Sequence, residues 1–111
     1  MFVRNIIFET EFDSCKIKAI LKPLSFGDLI EVNGIEDGNE EDQGIKLAVM
    51  FMPKMKGYIK SMEGLVDSEG APITVEEMCD NAYFLRLVVE MITKLVNASQ
   101  PPRKPAELSA S

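Results

Sequence analysis

The chain opens with period-two alternation. Between Asn5 and Phe12, Ile6, Phe8, Thr10 and Phe12 fall on one side of an extended strand, and Ile7, Glu9 and Glu11 on the other. Lys16 to Lys22 alternates again, with Ile17, Ala19 and Leu21 opposite Lys16, Lys18, Ile20 and Lys22. Asp13-Ser14-Cys15 is a short loop between the two runs, so the pattern predicts a β-hairpin with one apolar face. Glu9 and Glu11 share the polar face with lysines, and opposite charges across strands help fix register. A lone hairpin is marginal in water, so its apolar face must rest on helices or on another chain.

Beyond Pro23 the period changes. Ser25 can cap a short helix over Phe26 to Val32, with Asp28 near its positive end and Asn33-Gly34 as the stop. Ile35 to Gly44 reads as an acidic, solvated loop carrying Glu36, Asp37, Glu40, Glu41 and Asp42. From Ile45 the apolar spacing is helical, through Leu47, Ala48, Met52, Met55, Ile59 and Met62, and Pro53 inside it predicts a kink or two helices meeting. Val66 to Thr74, VDSEGAPIT, is a turn-rich connector. Thr74 and Glu77 then form a Thr-x-x-Glu capping box. Phe84, Leu87, Val88, Met91, Ile92, Leu95 and Val96 follow the i, i+3, i+4, i+7 rule, which predicts one amphipathic helix over Val75 to Asn97, with Cys79, Tyr83 and Leu85 widening its stripe. Ser99 to Ser111 is Pro- and Ser-rich and reads as a disordered tail. The fold expected is α+β, mainly α: an N-terminal β-hairpin (1–24) followed by three to four helices (25–98) in one small domain.

Composition narrows the chemistry. Among 111 residues there is no His, which removes the commonest general base, metal ligand and physiological pH switch. The formal charge of −6 argues against nucleic acid as the main partner. No apolar run is long enough to span a bilayer and no signal peptide is visible, so a cytoplasmic protein is expected, with Cys15 and Cys79 as reduced thiols. Neither cysteine has a base to activate it, and Ser25 and Ser61 lack the Gly-x-Ser-x-Gly setting. Counting from Asp37, the acidic loop puts Gly38 at the second position of a calcium loop and Asp42 at the sixth, where Gly belongs, so the spacing fails. No phosphate loop or dinucleotide fingerprint is present. The expectation is a protein without catalytic activity, metal or cofactor. Lys54, Lys56 and Lys60 form a small basic cluster that reads as a solvated helix face or as a dock for an acidic partner.

The seven methionines carry the binding reading, because Met is flexible and suits surfaces that re-pack around varied partners. Met50, Met52, Met55, Met62, Phe84, Leu87 and Met91 are the candidate contact residues, and ordinary core is the alternative for each.

The order of parts resembles the tail assembly chaperones of long-tailed bacteriophages and prophages. The pieces are the LKPLSFGDL run at Leu21 to Leu29, a helical middle at Ile45 to Lys60, a Met-Glu-Gly connector within Met62 to Leu65, an acidic-Gly-Pro turn at Asp67 to Pro72, and a C-terminal amphipathic helix at Val75 to Asn97. Many family members carry Trp just before the connector glycine, where Met62-Glu63 stands here. The resemblance implies a non-enzymatic protein of the bacterial host cytoplasm that binds the tape measure protein, helps recruit tail tube protein, often self-associates as a homo-oligomer, and is absent from the mature virion. It also implies that a longer frameshifted product can part from this one near Ser99. The competing expectations are a small acidic adaptor or inhibitor binding a basic partner, and a minor structural tail or head-tail joining subunit.

Overall fold

The computed structural model describes residues 2–33 and 40–101. Strands β1 (Ile6–Phe12) and β2 (Cys15–Leu21) form the expected antiparallel hairpin, in register from Ile6 opposite Leu21 to Phe12 opposite Cys15. Its turn is only Asp13-Ser14. Both residues have positive φ, 51° and 65°, which is the type I′ geometry whose twist matches that of the flanking strands. Cys15 is therefore the first residue of β2 and not part of the loop. Ile6, Phe8, Ile17, Ala19 and Leu21 are buried on one face, as the alternation requires.

Helix α1 (Phe26–Asn33) follows, with the Ser25 hydroxyl accepting from Asp28 N–H at 3.3 Å and the Ser25 carbonyl from Leu29 N–H at 3.0 Å. Helix α2 spans Glu40–Tyr58. The acidic loop expected over Ile35 to Gly44 thus divides. Residues 35–39 lie outside the described residues, and residues 40–44 are helical. Pro53 does not split α2. It is exposed, so the Val49 carbonyl that loses its helical donor lies on a face open to water.

The helical run does not extend to Met62 as its spacing predicts. At Tyr58 the helix gives way directly to strand β3 (Ile59–Glu63), which pairs antiparallel with β2, giving the order β1-β2-β3. Ile59 and Met62 sit three apart, a helical count that a regular strand would split between its two faces, and only the irregularity at Lys60, where the register shifts, lets both belong to β3 opposite Leu21 and Ala19. What decides is the free edge of β2, which offers backbone partners that a helix end cannot find. The register shifts between Ile20 and Leu21, and Lys22 N–H donates to Tyr58 O at 2.9 Å, tying the end of α2 to the sheet.

The connector folds into a small closed loop. Ile73 N–H donates to Leu65 O at 3.0 Å, and Asp67 Oδ1 accepts from Glu69 N–H at 2.8 Å and Ala71 N–H at 3.0 Å. Thr74 caps α3 (Val75–Asp80), its hydroxyl accepting from Glu77 N–H at 3.1 Å. The single helix expected from Val75 to Asn97 is broken. Asn81 is extended (φ −116°, ψ 127°), a 3₁₀ turn covers Ala82–Phe84, and α4 (Leu85–Ala98) begins after it. The break lets Cys79 and Met78 bury on one course and Leu87, Val88, Met91, Ile92 and Leu95 on another. At about 1.5–3 kcal/mol per fully buried large apolar side chain, α4 supplies much of the burial that holds the domain. The hairpin and the helices share this one core, with α4 beneath β1 and α2 beside α4. Residues 102–111, most of the expected tail, lie outside the described residues.

Candidate functional site

The contact residues expected from the sequence separate into two groups. Met55, Phe84, Leu87 and Met91 are buried in the core and present no surface to a partner in this conformation. Apolar side chains at helical spacing mark a buried face, and here the chain's own sheet and helices cover it. Met50, Met52 and Met62 are partly buried at the rim of that core. Met62 stands on β3, away from the helix on which it was expected.

The exposed apolar surface lies elsewhere. On α2, Ala48, Phe51, Met55 and Tyr58 face inward at i, i+3, i+7 and i+10 spacing. Ile45 and Val49 form a second stripe one flank away, 49 % and 68 % exposed, continued by half-buried Met52. On α1, Phe26 and Ile30 lie one turn apart and are 72 % and 58 % exposed. The helical pattern read from the sequence mixes the two stripes: it takes in Ala48 and Met55 of the buried face and Ile45 and Met52 of the flank, and leaves out Phe51, Tyr58 and Val49.

The two helices are clasped by a polar cluster. Tyr58 Oη donates to Asp28 Oδ2 at 2.5 Å and accepts from Ser25 N–H at 3.1 Å. Lys54 Nζ donates to both Asp28 Oδ1 and Glu31 Oε2 at 2.7 Å. The Lys54 hydrogen bond first and the Tyr58 hydroxyl next hold the Asp28 carboxyl below the usual aspartate range, and the same carboxylates push the Lys54 ammonium up. Lys22 stacks over the Tyr58 ring at 5.4 Å. Every polar group here has a partner within the cluster, so its work is to fix α1 on α2. The basic cluster expected around Pro53 is accordingly dispersed: Lys54 faces α1, Lys56 approaches Asp80 at 3.8 Å, and Lys60 donates to Asn5 Oδ1 at 2.6 Å.

A second surface feature sits at the hairpin end. Tyr83 Oη donates to Asp13 Oδ2 at 2.6 Å, and this bond to a carboxylate raises the phenol pKa. Phe12, Tyr83 and Phe84 pack edge-on or tilted with centroids 5.2–6.0 Å apart. Cys79 is buried, and burial pushes its thiol pKa up; Cys15 is half-buried, its thiol 3.8 Å from Val66 O. Among the described residues no group of three or more His, Cys, Asp or Glu is placed to hold a metal ion, and no helix is long and apolar enough to cross a membrane. Comparison with protein-family models, with curated proteins and with solved structures finds no match to this chain.

Proposed function

We propose that this chain is a tail assembly chaperone of a long-tailed bacteriophage or prophage: a non-enzymatic protein that binds the tape measure protein, recruits tail tube protein and leaves before the virion is complete. The observation that supports the reading is the apolar flank of exposed Ile45 and Val49 with half-buried Met52, which lies beside the face of α2 that Ala48, Phe51, Met55 and Tyr58 bury in the core. A client helix laid against that flank would bury apolar surface on both sides, and half-buried Met52 and Met50 can re-pack around its side chains. The same flank serves self-association. The order of parts along the sequence is the second support.

Co-expression with the tape measure protein tests the proposal. A complex that survives about 1 M salt and is lost on Val49→Asp is expected, because apolar contact is not screened while surface ion pairs are. Dissociation at moderate salt would instead favour an acidic adaptor. Mass spectrometry of purified particles should lack this chain; its presence would make it a structural subunit.

A further inference from the structure

We propose that the open edge of β1 is a docking site for an extended, Lys- or Arg-bearing segment of another protein, added antiparallel as a fourth strand. This site is separate from the α2 flank and does not rest on the chaperone reading. Among the described residues nothing pairs with the outer side of β1, which ends the strand order β1-β2-β3. The two-residue turn fixes which backbone groups are unused. Phe12 and Cys15 flank the turn and exchange hydrogen bonds, so by alternation Thr10, Phe8 and Ile6 also bond to β2. The N–H and C=O groups of Ile7, Glu9 and Glu11 therefore point away from the sheet, toward an incoming strand.

Charge selects that strand. On the outer face Lys18 lies between Glu9 of β1 and Glu63 of β3, and Lys16 lies opposite Glu11. The row Glu9–Lys18–Glu63 thus carries one negative charge in excess. Among the described residues neither Glu9 nor Glu11 has an ion pair within 4.0 Å. Residues directly opposite one another share a face, so a cation opposite Glu9 and another opposite Glu11 would extend the alternation of sign by one strand. A second copy of this chain does not fit. Full overlap of two antiparallel β1 edges would set Glu9 against its own equivalent and Glu11 against Ile7, so like charges repel at the centre and neither carboxylate gains a cation.

The inner side of the new strand is also provided for. Beneath the turn end of β1 lies an open groove of about 390 Å³, lined by Glu11, Phe12, Asp13, Tyr83, Arg86 and Glu90. Phe12 and Tyr83 give it an aromatic wall with ring centroids 6.0 Å apart. Thr10 Oγ1 donates to Glu90 Oε2 at 3.1 Å, holding that carboxylate at the strand. The segment recognised therefore alternates cationic residues on the outer side with apolar or aromatic ones on the inner side.

The test uses the full chain and the labelled peptide Lys-Val-Lys-Phe-Lys-Val-Lys, read by fluorescence anisotropy at low salt. Binding is expected, weakened about tenfold by the double substitution Glu9→Gln/Glu11→Gln, as two exposed charge pairs allow. N-methylation of the lysine amides, which face β1 in this register, should abolish binding, and N-methylation of the Val and Phe amides should spare it. The methylated peptides act on the unaltered protein, so a variant that folds poorly cannot decide the result. Equal binding of the peptide with Glu in place of Lys, or indifference to N-methylation, would overturn the proposal. A dimer of the protein alone that the peptide dissociates would give this edge to a second copy and overturn it too.

Discussion

Gly64 lies directly against the backbone carbonyl of Lys16. Its φ is +96°, and a Cβ there would fall inside contact distance of the Lys16 oxygen and crowd the Ile17 Cα. Backbone cannot withdraw as a flexible side chain can. Gly64→Ala should therefore lower stability by more than ~2 kcal/mol, from the left-handed conformation together with the clash. Gly70 is also left-handed (φ +84°) but has open space around it, so Gly70→Ala should cost only about 1 kcal/mol. Denaturant melts of the two variants give the comparison, and equal losses would contradict it.

The clasp between α1 and α2 should be sensitive to acid. Asp28 titrates below the ordinary aspartate value because Lys54 and Tyr58 donate to its charged form. The unfolded chain consequently takes up that proton first as pH falls. The stabilisation is complete above about pH 4 and is lost as pH drops through the lowered value. Tyr58→Phe should destabilise by ~1 kcal/mol at neutral pH, with the deficit narrowing in acid. Asp28→Asn should flatten the acid limb of the stability curve, measured by thermal melts from pH 7 to pH 2.

Core and flank methionine neighbours should behave oppositely. Met91→Ala, at a fully buried site, should cost about 2–5 kcal/mol. Val49→Asp and Phe26→Asp, at exposed sites, should leave melting within about 0.5 kcal/mol of the parent. Light scattering of the exposed-site variants then reports association without a stability artefact.

The two thiols should differ in their rate of reaction. Cys15 is partly accessible, while Cys79 is buried with its thiolate disfavoured. A thiol reagent should modify one equivalent quickly and the second only on unfolding. Two equivalents reacting at one rate would show that the core around Cys79 opens.

Truncation sharpens where the domain ends. Leu24 N–H donates to Ser99 Oγ at 3.0 Å, and Ser99 N–H closes the end of α4 onto Leu95 O at 3.0 Å. Cutting the chain after Ala98 should cost ~1 kcal/mol, and Ser99→Ala should reproduce most of that loss. A truncation without effect on melting would mean water replaces the hydroxyl.

The hairpin was readable because strict alternation leaves only one face to bury, and the Ser25 and Thr74 caps were readable because the hydroxyl stands at fixed offsets from the first free N–H groups. Strand β3 was not, since Ile59 and Met62 stand at a helical spacing and only the vacant edge of β2, with a register shift at Lys60, makes a strand of them. The break at Asn81 was hidden by an apolar spacing that continues across it. Helical spacing also cannot tell a side chain buried within its own chain from one awaiting a partner, and Met55, Phe84, Leu87 and Met91, which fit either reading, lie in the core.

Helix α2 enters β3 at Tyr58–Ile59 with no intervening residue, and Tyr58 is at once the helix terminus, the acceptor for Lys22 N–H and the hydroxyl bound to Asp28. The joint has no slack. A shift of the α2 terminus is therefore handed on at once, to the sheet through Lys22 and to α1 through Asp28, and the three elements move together or not at all.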